Sequence, residues 1–114
     1  MTVQEIVDAL SLKVLAGTNV LGKSVACGYA CDLLSCVMAG AQTDAIWVTM
    51  QGHPNVAAVA SLLGLAAVVV SEDSPVEPTT VQRAEENGIA LLSTSHDTFT
   101  TVAKLAALGI QGAR

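Results

Sequence analysis

Three times in its second half the chain sets a glycine directly before a hydrophobic residue at the end of a helix-like stretch: Gly64-Leu65, Gly88-Ile89 and Gly109-Ile110. A left-handed glycine followed by an apolar residue that packs back is a common way for a helix to stop. Between these stops lie the short apolar runs "DAIWVTM", "LAAVVV" and "IALLS". The second has no alternation of polar and apolar positions, which suits a strand buried on both faces. Strand and helix therefore alternate with a period of about twenty-odd residues, the pattern of βα units and a mostly parallel sheet of four or five strands.

The remaining elements fit this frame. In "TVQE", Thr2 and Glu5 can form a capping box, and Val3, Ile6, Val7 and Leu10 follow at helical spacing. "LKVLAG" reads as a strand ending at Gly17. His53-Pro54-Asn55 precedes the helical "VAAVASLL", with Asn55 placed as a cap and Pro54 suited to the first turn. Thr79 or Thr80 can cap "VQRAEEN", and Asp97 can cap a last helix with Phe99, Val102, Ala103 and Ala106 on one face. Residues 1–114 make one domain with no linker or low-complexity stretch.

Composition adds a constraint on partners. Hydrophobic residues are 52% of the chain and charged residues 13%, too little polar material to coat so small a sphere. Some apolar surface is therefore expected to be buried against a second copy, making a homodimer. A net charge of -5 repels phosphate backbones, and three aromatic residues provide no stacking platform, so nucleic acid is not an expected partner. The apolar run Val56 to Val70 is shorter than the about 20 residues a bilayer needs, and no basic segment leads an apolar one. The expected compartment is the cytoplasm, without a membrane partner. Cys27, Cys31 and Cys36 follow no common metal or disulfide spacing and read as small buried hydrophobes, so no metal site is expected.

One stretch needs its own explanation. "GTNVLGKS", Gly17 to Ser24, fits the phosphate-loop pattern G-x-x-x-x-G-K-[ST], which average composition produces on the order of once in a few hundred chains of this length. In a true phosphate loop Gly17, Gly22, Lys23 and Ser24 would hold phosphate and Mg²⁺ at the start of a helix. The residues that follow, "VACGYACDLLSC", allow either a helix from Lys23 carrying Gly28 inside it, or a short strand "SVACG" with a helix from near Asp32. A carboxylate at the end of a neighbouring strand would also be needed for the metal, and "AAVVVSED" places Ser71 there. The other reading is a turn in which Gly17 and Gly22 supply positive φ and Lys23 is solvated.

Gly28-Tyr29 with Asp32-Leu33-Leu34-Ser35, the His53-x-Asn55 turn and Leu92-Ser93-Thr94 carry a resemblance to the DRTGG-domain family, extending from about Thr2 to Ile110. Members are similar to the N-terminal domain of HPr kinase/phosphorylase and occur within some phosphotransacetylases and some CBS-containing pyrophosphatases. The resemblance implies a three-layer α/β/α domain without catalytic residues or cofactor of its own, regulatory or dimer-forming. In the kinase relatives the ATP loop lies in a separate domain, so the likeness favours the turn reading of Gly17 to Ser24. The five letters that name the family do not occur here as a contiguous run.

Parallel sheets gather ligands beyond the carboxyl ends of their strands. Those ends collect Tyr29 and Asp32, then Thr49, Gln51, His53 and Asn55, then Ser71, Glu72 and Asp73, and last Ser93, Thr94, Ser95 and His96. The expected function is regulatory, with a small-molecule or nucleotide-like effector at this rim, a protein partner being the other possibility. Asp32, Asn55 and Asp97 also have a plain role as helix caps, and His53 as a turn residue.

Overall fold

In the computed structural model, which describes residues 1–113, the first helix, α1 (Val3–Leu10), starts on the capping box and buries Val3, Ile6, Val7 and Leu10. Ser11, left-handed at φ 53°, turns the chain into β1 (Lys13–Ala16). A short 3-10 turn (Thr18–Val20) leads on to β2 (Cys27–Ala30). The βα alternation then runs through α2 (Leu34–Gly40), β3 (Ala45–Thr49), α3 (Asn55–Leu63), β4 (Ala67–Val70), α4 (Pro78–Glu86), β5 (Ala90–Ser93) and α5 (Thr98–Ala107). Gly64, Gly88 and Gly109 are left-handed at φ 65°, 66° and 95°, and Leu65 and Ile89 behind the first two are buried.

The five strands lie in the order β1-β5-β4-β3-β2. Strands β2 to β5 are parallel, and β1 is an antiparallel edge on β5, with Lys13 opposite Ser93. Alternate side chains enter two cores. Trp47, Val68, Val70 and Leu91 face α2, α3 and α4, while Ile46, Val48, Val69 and Leu92 face α1 and α5. The result is a three-layer α/β/α fold around one mostly parallel sheet.

Several local expectations are corrected. Asn55 is the first residue of α3 rather than its cap; the His53 Nδ1 accepts the Asn55 N–H at 3.1 Å instead. Helix α2 starts at Leu34 without a side-chain cap, so Asp32 does not cap it. Helix α4 starts on Pro78, and the Thr80 hydroxyl donates across to the Gly52 carbonyl, 2.6 Å away, in place of capping its own helix. Asp97 does cap α5, accepting the Thr100 N–H at 2.6 Å. Of the cysteines only Cys27 is buried, Cys36 being exposed. The expected apolar face of α5 points outward: Thr101 and Leu105 are its buried residues, whereas Phe99, Val102, Ala103 and Ala106 are exposed.

Strand direction now fixes two ends. The carboxyl ends of β2 to β5 share one end of the sheet with the amino end of β1. The loop from Gly17 to Ser24 lies at the other, beside Asp44, Leu65 and Ile89.

Candidate functional site

At the carboxyl end, β2 and β3 are tied by one carboxylate. Asp32 accepts the Thr49 hydroxyl at 2.8 Å and the Met50 N–H at 2.9 Å, and the Gln51 amide donates to the Asp32 carbonyl. Thr49 is fully buried, so its hydroxyl requires such a partner. The Tyr29 hydroxyl donates to the Cys36 carbonyl at 3.1 Å, in the first turn of α2. The His53 Nδ1 accepts the Asn55 N–H at the start of α3. Five of the expected rim residues, Tyr29, Asp32, Thr49, Gln51 and His53, thus each make at least one hydrogen bond within the protein.

The next two loops are arranged differently. After β4 the chain leaves for α4 on one face, and after β5 it leaves for α5 on the other. Diverging loops of this kind open the crevice in which parallel sheets bind ligands. Here Glu72 and Asp73 are both left-handed, at φ 66° and 51°, a conformation that costs a non-glycine residue on the order of 1–2 kcal/mol. Their N–H groups donate to the His96 carbonyl at 2.8 Å and the Thr94 carbonyl at 3.1 Å, stitching the two loops together. Buried Ser71 completes the join through a 2.7 Å hydroxyl pair with Thr98.

On the outer side of this join a recess of about 410 Å³ is lined by Ser11, Lys13, Asp73, Ser93, Ser95 and His96. No hydrogen bond or ion pair within the described residues engages the Lys13 ammonium, the Ser93 and Ser95 hydroxyls or the His96 ring. Thr94 lies beside them, its hydroxyl accepting the His96 N–H at 3.2 Å. The structure therefore brings Ser93, Thr94 and His96 together and keeps them apart from Tyr29, Asp32 and Asn55. Sequence reasoning missed Ser11 and Lys13, which arrive because β1 runs antiparallel and presents its amino end here.

Gly17 to Ser24 has another geometry. Gly17 is left-handed at φ 79° and its N–H donates to the Glu85 carboxylate at 3.1 Å. Gly22 has no positive φ, against expectation. No helix begins at Lys23: its ammonium lies 3.9 Å from Asp44 and 3.4 Å from the Leu65 carbonyl, and Ser24 pairs with Thr2 in an antiparallel bridge. The helix N-terminus on which a phosphate loop depends is missing from this position.

A second recess, of about 470 Å³, lies between α5 and the edge strand β2 and is mostly apolar. Among the described residues, no group of three or more His, Cys, Asp or Glu side chains could hold a metal ion, and no helix is long and apolar enough to cross a membrane.

Comparison with known proteins agrees with this architecture. No curated protein matches the chain by sequence. Among solved structures it is similar to the CBS and DRTGG domains of the regulatory region of Clostridium perfringens pyrophosphatase, determined with the activator diadenosine tetraphosphate. The TM-score is 0.70 at 18% identity, over 91% of this chain and 45% of that one, so the chain spans just under half of its neighbour's length. At that identity the likeness speaks for the fold. The sequence profile of the DRTGG domain, however, matches residues 5–108, almost the whole length, and the chain belongs to the DRTGG domain family.

Proposed function

We propose that this chain is a non-catalytic regulatory domain that reads a small anionic or nucleotide-like metabolite at the carboxyl end of its sheet and works as a homodimer. Family membership supports the regulatory part, since the pyrophosphatase neighbour carries its DRTGG domain in a region controlled by an activator. The observation that carries the binding part is the recess at β5, where the Lys13 ammonium, the His96 ring and two hydroxyls converge without internal partners. An ammonium beside free hydroxyls suits a phosphate or carboxylate. Asp73 on the same wall favours a ligand that also carries a hydroxyl or amino donor. Gly17 to Ser24 belongs in this reading to the structural turns, its donors being directed at Glu85, Asp44 and Leu65.

The test is calorimetric titration of inorganic phosphate, AMP and diadenosine tetraphosphate into wild type, Lys13→Ala and His96→Ala. At least one probe should bind the wild type, and Lys13→Ala should weaken it about tenfold, the loss of one charge-assisted hydrogen bond. Binding that ignores both substitutions would move the ligand away from this recess, and silence with all three probes would end the effector reading for this chemistry.

A further inference from the structure

Helix α5 presents a knob and a hole on the same outward face. Phe99, in its first turn, is 84% exposed, the most exposed large hydrophobic side chain among the described residues. Val102, one turn further on and 39% exposed, forms with Ala106 and Ile110 the wall of the apolar recess against β2. The hole has its own origin in the sequence. Gly28 leaves β2 without a side chain there, and Ile110 packs 3.2 Å from where a Cβ would stand. The segment after α5 completes the lining: the Gln111 carbonyl accepts the Gly28 N–H at 2.9 Å, and Gly112 bridges to Gly28 in parallel.

We infer that α5 is a self-complementary interface, in which Phe99 of one copy enters the recess beside Val102, Ala106 and Ile110 of a second copy across a two-fold axis. Residues 99, 102, 103 and 106 follow the i, i+3, i+4, i+7 spacing of one helix face. When two such helices cross antiparallel, the start of each lies opposite the end of the other. Knob then meets hole twice, as an isologous contact requires. Ala103 falls near the axis, where a small side chain lets the backbones approach.

The two Phe99 rings together would remove roughly 300–500 Å² from water, a quarter or more of the about 1,200 Å² at which specific interfaces begin. Val102, Ala103 and Ala106 on the same helix face extend the contact. Its apolar character also explains why a face patterned like a core helix is turned to solvent in a single copy.

This inference rests on the homodimer of the preceding reading and adds its face, so the experiment separates the two. Light scattering at tens of micromolar would be run on wild type, Phe99→Asp, Ala106→Trp and the control Leu62→Asp. Leu62 is 71% exposed at the end of α3, away from α5. The expected result is a mass twice the 11.6 kDa of the chain for wild type and control, and single-chain mass for the knob and hole variants at unchanged circular dichroism. A wild-type dimer that survives Phe99→Asp places the interface elsewhere and overturns the inference while self-association stands. A wild-type monomer removes both. If that monomer also binds the neutral dye Nile red, and Ala106→Trp abolishes the binding, the recess is a small-ligand seat instead.

Discussion

Gly52 illustrates how single positions set the rim. It follows the Asp32–Thr49–Gln51 group, and a Cβ there would overlap the Pro75 carbonyl oxygen and crowd the Val76 Cα, because the loop after β4 passes directly over it. Its carbonyl accepts from the Thr80 hydroxyl and from the Glu77 N–H at 3.2 Å, so the turn cannot shift without opening α4. Gly52→Ala should therefore cost about 2–4 kcal/mol, in the range of other backbone clashes, and chemical denaturation would show it as a lower midpoint at unchanged slope. An ordinary midpoint would mean that the β4–α4 loop gives way freely. Gly22→Ala is the contrast: nothing lies within 4 Å of its would-be Cβ and its φ is not positive, so the change should stay within about 0.5 kcal/mol of neutral. None of this distinction is legible in the sequence. "GTNVLGKS" invites attention to Gly22, while the constraint on Gly52 comes from Pro75, which only the folded loop brings near.

At the scale of elements, α5 depends on its first turn. Asp97 caps it, and the Thr100 backbone N–H, followed by the Thr100 side chain, holds the Asp97 carboxyl below its ordinary value. The Thr2 backbone N–H and then the Thr2 hydroxyl do the same for Glu5 at the start of α1. A carboxyl whose folded value is depressed adds stability that is complete above its unfolded value, near about 4, and is lost as pH falls through the lower folded value. Thermal melts should therefore fall between about pH 5 and pH 2. Asp97→Asn, which keeps an acceptor but no charge, should melt below wild type at pH 7 and approach it at the acid end. A constant gap at all pH values would show that the carboxylate charge contributes nothing to the cap. Asp97 was legible as a cap because its signal is local; Asp32 and Asn55 looked equivalent and are not. Their roles were decided by contacts 17 residues away in the one case and by the unexpected ring of His53 in the other. The alternation of elements was legible for a similar reason, since Gly-hydrophobic stops act within a single turn. The outward face of α5 was hidden because apolar spacing marks a face without saying what it meets.

Considered whole, the molecule divides its work between the two ends of one sheet. The amino ends of the parallel strands are closed by short-range pairing: Lys23 with Asp44 and the Leu65 carbonyl, Gly17 with Glu85, Ser24 with Thr2. The carboxyl ends hold the left-handed pair Glu72-Asp73, the diverging loops and the recess at Lys13. The antiparallel β1 joins the two, carrying Lys13 at one end and leading into Gly17 at the other. That reversal of one edge strand is what the sequence did not disclose, and it reassigns both lysines: the one in the conspicuous motif falls at the closed end and the inconspicuous one at the open end. The prediction follows from this separation. Lys23 and Asp44 are 45% and 47% exposed, so screening limits their pair to roughly 0.2–1 kcal/mol, and Lys23→Ala should lower stability by no more than that. Any effector that binds at the carboxyl end should bind Lys23→Ala as it binds wild type. Groups this far apart share no partner, so the stability changes of Lys13→Ala and Lys23→Ala should add within about 0.5 kcal/mol in the double variant. A nucleotide whose affinity falls tenfold in Lys23→Ala and not in Lys13→Ala would reverse the assignment of the two ends and return Gly17 to Ser24 to phosphate binding.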